Sequence, residues 1–153
     1  MIGKLDLPPA LRAQILRAAA EAEPRECCGL IEGVRRDGLA TALALHPARN
    51  LSARADRFEI DPQDQFEALR AARARGREII GCYHSHPGGR AAPSATDLAG
   101  AGEEDFLWLI AADSGSADWA LAAFVWRGGG FRAVNLPPSD PPAISPAPLA
   151  PIV

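Results

Sequence analysis

Residues 79–83 form a continuous apolar run, and histidines follow it directly at positions 84 and 86. Strands that are buried on both faces have continuous apolar sequences, whereas strands with one solvent-exposed face alternate between apolar and polar residues. The run therefore predicts an internal strand that is covered on both sides. Because residues i and i+2 of a strand point to the same face, His84 and His86 are expected to present two imidazoles to one point, while Ser85 points away.

Three other segments have the signals of helices. Residues 8–23 have apolar side chains at helical spacing, and they begin with two prolines, which a first helical turn tolerates. A second helix is predicted to begin at Pro62, with Phe66 and Leu69 on one face. A third is predicted to begin after Ser94, which has the character of an N-cap.

Short apolar runs alternate with these helical patterns along the chain. Because strands and helices are interleaved, we predict a mixed α/β fold. The predicted strands cover residues 27–34, 39–45, 58–60, 79–83, 106–112, 119–126 and 131–135.

Length and composition limit the classes of protein that remain. The 153 residues are 48% hydrophobic and suffice for one domain with a core, and the net charge of −3 argues against a nucleic-acid binder. No apolar run approaches the roughly 18 residues of a membrane span, and the N-terminal segment lacks the apolar core of a signal peptide. We expect a cytoplasmic domain over residues 1–135 that binds neither nucleic acid nor membrane. Residues 136–153, seven of them proline, are expected to form a poorly packed, flexible tail.

His84, His86 and Asp97 have a spacing that is typical of a metal site. Zinc binds imidazole nitrogen and carboxylate oxygen at about 2.0–2.1 Å, and catalytic zinc sites combine three protein ligands with a fourth position for water. Asp97 is a natural third ligand, because the helix that begins near it can point back at the end of the strand. Ser94 and Asp97 also fit a helix capping box, which explains either residue taken alone better than a metal site does. The combination with the two histidines favours the metal site.

Other catalytic arrangements fit the sequence less well. The chain contains no Gly-x-Ser-x-Gly motif of serine hydrolases, and it lacks the His-x-Glu and Pro-Cys-x-x-Cys motifs of zinc nucleobase deaminases. A nucleophilic Cys28 or Cys82 is disfavoured, because apolar strand surroundings raise the pKa of a thiol. We expect all three cysteines to be small buried side chains.

The string His-Ser-His-Pro at residues 84–87, followed by Ser94-x-x-Asp97, resembles the zinc motif of the JAMM (JAB1/MPN/Mov34) metalloproteases. Residues 24–33 are similar to the upstream block of this family that contains its catalytic glutamate. The resemblance covers residues 8–135 and implies a central mixed β-sheet flanked by helices, which is the MPN/JAB (cytidine-deaminase-like) architecture. Also similar to the short standalone bacterial members are Asn50 and residues 58–62.

The resemblance implies a hydrolase with one Zn²⁺ and a bound catalytic water. By matching position, the metal ligands are His84, His86 and Asp97, Glu26 is the general acid/base, and Ser94 polarises the reacting carbonyl or stabilises the oxyanion. Zinc lowers the pKa of a bound water to about 7, and a carboxylate beside it can take the proton and return it to the leaving amine. The choice of Glu26 comes from the family, because spacing alone does not separate it from the other glutamates nearby.

The expected substrate follows from the kind of relative. Larger eukaryotic deubiquitinases of the family grip ubiquitin with insertions, for which this chain has little room. The similarity to short bacterial peptidases implies hydrolysis of a peptide or isopeptide bond after the C-terminal Gly-Gly of a ubiquitin-like or sulfur-carrier protein. An extended tail of this kind can add to an exposed strand edge without side-chain pockets. Residues 88–92, including Arg90, are expected to border the groove.

Two alternatives stay open at this point. An inactive scaffold of the same fold would bind a protein partner without cleaving it, although such scaffolds usually lack a metal ligand. A general peptidase would cleave short peptides as fast as a carrier protein fused to a peptide. The sequence does not predict the oligomeric state.

Overall fold

The computed structural model describes residues 1–114 and 118–138, and within these ranges most of the predicted elements are confirmed with boundaries that differ by a few residues. The helices are α1 (Pro9–Ala22), α2 (Pro62–Ala74) and α3 (Ala95–Gly100). The strands are β1 (Lys4–Asp6), β2 (Cys28–Arg36), β3 (Leu39–Ala48), β4 (Glu78–His86), β5 (Leu107–Ala112), β6 (Ala120–Arg127) and β7 (Gly130–Val134).

These strands form one mixed sheet in the order β1-β3-β2-β4-β5-β6-β7. Strand β4 lies at its centre, antiparallel to β2 and parallel to β5. The sheet curls until its two edges meet: the Leu5 N–H donates to the Asn135 carbonyl at 2.9 Å, and the Asn135 N–H donates to the Gly3 carbonyl at 3.0 Å. The predicted central mixed sheet with flanking helices is therefore confirmed.

The apolar core lies on both faces of this sheet. On one face, Ile15 and Ala19 of α1 pack into a large cluster that includes Tyr83. On the other face, Ala68 of α2 packs into a smaller cluster that includes Cys82. Adjacent residues of β4 thus face different clusters, which confirms the prediction of a strand covered on both sides.

Helix α2 packs against the sheet through small side chains. Ala68 and Ala72 are buried, whereas Phe66 and Leu69 are 55% and 46% exposed. The alanines allow the helix to approach the strands closely, and this close approach leaves the larger side chains on the outer side of the helix. The face that Phe66 and Leu69 share is therefore not the face that packs on the core.

Two strands differ from the sequence prediction. The strand predicted over residues 58–60 is wrong, because the structure has a loop there with a single bridge between Asn50 and Ile60. Hydrogen bonds to the Asn50 side chain hold this loop, and alternation of apolar and polar residues does not reveal such bonds. Strand β1, parallel to β3, has only three residues, which are too few to show a pattern.

The chain beyond β7 is described only as far as residue 138. Leu136 packs partly buried against the core, and the Arg12 guanidinium donates to the Pro137 carbonyl at 3.1 Å. Most of the predicted tail over residues 136–153 lies outside the described residues, so the domain boundary at residue 135 stays a prediction. Among the residues that the structure describes, no helix combines the length and the apolar character needed to cross a membrane.

Candidate metal centre

Two imidazole nitrogens and one carboxylate meet at the end of β4. His84 Nε2 lies 3.0 Å from His86 Nε2 and 3.1 Å from Asp97 Oδ1, and His86 Nε2 lies 3.1 Å from Asp97 Oδ2. The histidines share a face because they are two residues apart in a strand, and Asp97 arrives from the first turn of α3. Their side chains are 0%, 11% and 4% exposed, in the order His84, His86, Asp97.

The arrangement of these atoms fits a small divalent cation. In a tetrahedral zinc site with bonds of about 2.0–2.1 Å, ligand atoms lie about 3.3 Å apart, which is close to the distances found here. Two imidazoles and a carboxylate are also donors that zinc accepts readily. Glu26 lies near enough to join them, since a set of ligand atoms from Glu26, His84 and His86 falls within 4.8 Å of one another.

Hydrogen bonding and burial act on the protonation states of the proposed ligands. Burial lowers the pKa of His86, but hydrogen bonds to Asp97 and to the Arg90 carbonyl outweigh burial and raise this pKa above its ordinary value. His86 Nδ1 lies 2.9 Å from the Arg90 carbonyl, so the proton belongs on Nδ1 and the Nε2 lone pair faces the cluster. Burial lowers the pKa of His84, although Asp97 opposes this effect, and the neutral ring is favoured. Burial works against the ionised form of Asp97, but hydrogen bonds to His84 and His86 hold its pKa well below the ordinary value.

Asp97 also caps helix α3. The Ser94 N–H donates to Asp97 Oδ2 at 2.9 Å, and the Asp97 N–H donates to Ser94 Oγ at 3.0 Å, which completes a capping box. The predicted capping box is therefore confirmed, and the Asp97 carboxylate also faces the two imidazoles. The hydroxyl proton of Ser94 finds no acceptor in the part of the chain that is described.

Glu26 reaches the cluster from the connection between α1 and β2. Cys28 of β2 pairs with His84 of β4, so the residue two positions before Cys28 lies beside the imidazoles. Glu26 is 5% exposed, and its Oε1 has no hydrogen-bond partner within the described ranges. Burial raises the pKa of Glu26 to about 7, with His86 lowering it and Asp97 raising it. This carboxyl group can therefore gain and lose a proton near neutral pH.

Ser85 faces away from the histidines, as the strand geometry predicts. Its Oγ accepts from the Cys27 N–H at 2.8 Å, and its own N–H donates to the Cys27 carbonyl at 3.2 Å. These two bonds extend the contact between β2 and β4 by one residue. They hold the immediate neighbour of Glu26 in place.

Aromatic side chains pack around His84. The Phe58 ring stacks on it with centroids 4.3 Å apart and planes at 25°, and the Trp108 ring meets it edge-on at 5.7 Å. These contacts restrain the imidazole from rotating. They also exclude water from one side of the ring.

The cysteines do not form a nucleophilic site. Cys28 and Cys82 are buried and Cys27 is half-buried, and none of the three is in a disulfide. Burial raises the pKa of Cys28 to about 12, which keeps the thiol protonated at neutral pH. The prediction of small buried side chains is confirmed for Cys28 and Cys82.

An open cleft of about 540 Å³ lies over the cluster. His86, Glu26 and Ser94 line it, so one proposed metal ligand and the residue with the nearby carboxyl group border the same cleft. Asp56 and Arg90 add charged side chains to the lining, and residues of the 88–92 loop border the cleft as predicted. The other lining residues are small or are prolines: Pro24, Ala55, Pro87, Gly89, Ala92 and Pro93.

Residues 8–126 match the family model of prokaryotic homologs of the JAB domain. The chain belongs to this family. A relative of this JAB-domain chain is a desampylase from Haloferax volcanii, 33% identical over 138 residues that cover 87% of this chain and 95% of the relative. A probable TtuB-protein conjugate cleaving protease from Thermus thermophilus is 31% identical over 127 residues, 82% of this chain and 69% of the relative. The solution structure of a protein from Desulfitobacterium hafniense matches with a TM-score of 0.77 at 27% identity, over 87% of this chain and 92% of that one.

The JAB-domain assignment confirms the resemblance to short prokaryotic JAMM proteins. The fold brings all of the singled-out residues to one place, namely His84, His86, Asp97, Glu26 and Ser94.

Three further residues support this JAB-domain centre through contacts that the sequence does not indicate. These are the backbone contacts of Ser85, the stacking of Phe58 and the hydrogen bonds of Asn50. For Asn50 and Phe58, the similarity to the short bacterial members indicates that the residues matter. It does not indicate which contacts they make.

Proposed function

We propose that this chain is a zinc-dependent peptidase or isopeptidase that hydrolyses the bond after the C-terminal Gly-Gly of a ubiquitin-like or sulfur-carrier protein. One observation supports this most: two imidazole nitrogens and a carboxylate lie 3.0–3.1 Å apart, beside the buried carboxyl group of Glu26. The names of two relatives, a desampylase and a probable protease for TtuB–protein conjugates, support hydrolysis of protein conjugates.

His84, His86 and Asp97 would hold one Zn²⁺. When bound there, zinc would act as a Lewis acid and lower the pKa of a coordinated catalytic water to about 7. Glu26 would accept the proton of the attacking water and return it to the leaving amine, a double role that suits a buried carboxyl group beside the proposed ligands. Ser94 would donate a hydrogen bond from its hydroxyl group to the reacting carbonyl oxygen, since Ser94 lines the cleft and its Oγ already accepts from the Asp97 N–H.

The shape of the cleft favours a thin, extended substrate. Its lining near the proposed metal ligands consists largely of small or rigid residues, such as Gly89, Ala92 and Pro93. A Gly-Gly tail has no side chains, so it can lie in such a groove and be held by main-chain hydrogen bonds. The name of the Thermus thermophilus relative favours a protein conjugate over a free peptide as substrate.

The test uses the full chain purified without chelator and two substrates that contain one ubiquitin-like domain ending in Gly-Gly. In the first substrate a short peptide follows Gly-Gly, and in the second a lysine side chain of a peptide is attached to it. We expect about one zinc per chain, and a loss of kcat by about 10²–10⁴-fold in Glu26→Gln with the zinc content unchanged. Glu23→Gln is the matched control, since Glu23 is an exposed glutamate three residues away, and it should keep the activity of the wild type.

Undiminished cleavage by Glu26→Gln, or purified protein without zinc, would count against the proposal. Zinc binding without cleavage of either substrate would favour the inactive scaffold. Equal rates for a short Gly-Gly peptide and for the ubiquitin-like fusion would favour a general peptidase. The cytoplasmic location expected from the sequence stays a prediction.

A further inference from the structure

Residues 50–60 leave β3 and return to the start of α2 as a loop that is closed at its base. The Leu51 N–H donates to the Glu59 carbonyl at 2.8 Å, and Asn50 and Ile60 form a bridge. The Asn50 side chain lies inside this loop. Its Oδ1 accepts from the Ser52 N–H and the Glu59 N–H, each at 3.0 Å.

The amide nitrogen of Asn50 joins this loop to a different part of the chain. It donates to the Arg57 carbonyl at 3.3 Å within the loop and to the Glu26 carbonyl at 3.0 Å outside it. All four hydrogen-bonding positions of the amide are thereby used, and the arrangement of donors and acceptors fixes its orientation. The Arg25 guanidinium adds bonds to the carbonyls of Asn50 and Ser52, so two successive residues of the α1–β2 connection are attached to the loop.

The same loop touches the metal cluster and the cleft. Phe58 stacks on His84, and Asp56 lines the cleft together with Glu26. Glu26 itself lies in the connection between α1 and β2, outside regular secondary structure. Asn50 therefore links the backbone of Glu26 to the loop whose Phe58 ring packs on His84, a proposed metal ligand.

We propose that Asn50 is a positioning residue, which fixes Glu26 relative to His84 through its bond to the Glu26 carbonyl and its hold on the loop that contains Phe58. This inference rests on the proposed function, in which Glu26 moves the proton of the attacking water. A displacement of about 1 Å in a reacting group can reduce a rate by about 10²-fold. A bond that fixes the backbone of Glu26 is therefore expected to affect turnover more than substrate binding.

The test compares Asn50→Ala and Asn50→Asp with the wild type as zinc-loaded full-length proteins, using the Gly-Gly fusion described above. Alanine removes all four bonds, whereas aspartate can still accept from Ser52 and Glu59 but cannot donate to Glu26. Both variants should lose kcat by at least about tenfold, with KM changed by less than about threefold, because the missing bond acts on the reacting group. Zinc content should stay at about one per chain, since the proposed ligands are on β4 and α3.

A second readout does not depend on activity. In Asn50→Ala, the backbone NMR order parameter at Glu26 should fall from about 0.85 to below about 0.6, the range of flexible backbone. Leu51→Ala is the matched control, because Leu51 is the neighbouring loop residue, is 50% exposed and should leave both kcat and the order parameter unchanged.

The outcomes separate this inference from the proposed function. A wild-type kcat in Asn50→Asp, or an unchanged order parameter at Glu26 in Asn50→Ala, would overturn the positioning role. Loss of zinc from both variants would overturn it as well, since Asn50 would then support the fold in general. If the wild type does not cleave the fusion, the proposed function fails, and a lowered order parameter in Asn50→Ala still supports the ordering of Glu26 by Asn50.

Discussion

Glu32 on β2 is a buried carboxylate surrounded by basic side chains, and we predict that its protonation in acid destabilises the fold. Its side chain is 0% exposed and accepts from Arg75 Nη2 at 2.7 Å, Arg75 Nε at 3.0 Å and Arg77 Nη1 at 3.0 Å. His46 Nε2 lies 3.1 Å from Glu32 Oε1, so this histidine is a further partner of Glu32. The hydrogen bonds from Arg75 lower the pKa of Glu32 to about 2, although burial opposes them.

The pKa difference determines the sign and size of the effect. The folded-state pKa of about 2 lies below the ordinary value of 4.5, so the unfolded chain takes up the proton first as the pH falls. Glu32 therefore stabilises the fold fully above about pH 4.5, and this stabilisation is lost progressively as the pH falls to about 2. Linkage gives about 3 kcal/mol in total, of which about 2 kcal/mol is lost by about pH 3. The Arg75 side chain is 48% exposed, so added salt should reduce these values.

Urea unfolding of the wild type and Glu32→Gln at about pH 7 and about pH 3 measures this effect. At pH 7 the variant leaves two guanidinium groups beside a neutral amide, and we expect a loss of about 3–5 kcal/mol in the free energy of unfolding. The difference between the two proteins should shrink by about 2 kcal/mol at pH 3, and the comparison cancels the titration of other groups. Glu78→Gln is the control, because Glu78 pairs with Arg35 but is 53% exposed, and it should cost less than about 1 kcal/mol. A difference between wild type and Glu32→Gln that is equal at both pH values would refute the reasoning.

Two further substitutions test the packing against strand β4. In Gly81→Ala the added methyl group would overlap the Leu107 carbonyl oxygen on the adjacent strand, so the free energy of unfolding should fall by about 1–3 kcal/mol in urea. Gly102→Ala, which has open space around it, should change that free energy by less than about 0.5 kcal/mol, and similar losses in both variants would contradict the argument. Phe58→Ala removes the ring that stacks on His84, and zinc affinity in a chelator competition should weaken by about tenfold. Phe66→Ala, an exposed phenylalanine of α2, should bind zinc like the wild type, and equal affinities in the two variants would show that stacking does not support the site.

The sequence predicts those elements whose burial leaves a pattern within the element itself. Residues 79–83 and 106–112 are apolar because β4 and β5 are covered on both faces, so their sequences alone indicate internal strands. The loop over residues 50–60 has no such pattern, because it is held by one asparagine side chain that bonds to distant backbone groups. The sequence also does not indicate which face of α2 packs on the core, because this depends on contacts with a distant part of the chain. Which face is inside depends on how closely the sheet approaches, and here two alanines are inside while Phe66 is not.

The candidate site divides in the same way between local and non-local information. His84, His86 and Asp97 are close in sequence, so a strand end followed by a helix start is enough to predict that they meet. Glu26 meets them only through the register of β2 on β4, and this register changes at an irregularity between Ile31 and Glu32.

That irregularity decides which residue faces the proposed metal ligands. Glu32 pairs with Ile79, and a regular ladder continued from there would place Cys28 opposite Tyr83 instead of His84. A shift of one residue turns each side chain of a strand to the other face of the sheet. The chain that enters β2 would then present Glu26 to the face of β4 opposite to that of the two histidines. The residue that the register skips is Ile80 of β4, and the apolar run around it does not mark the irregularity. Physical reasoning from the sequence could therefore predict the proposed metal ligands, whereas the carboxylate that would serve them could be found only through the family resemblance.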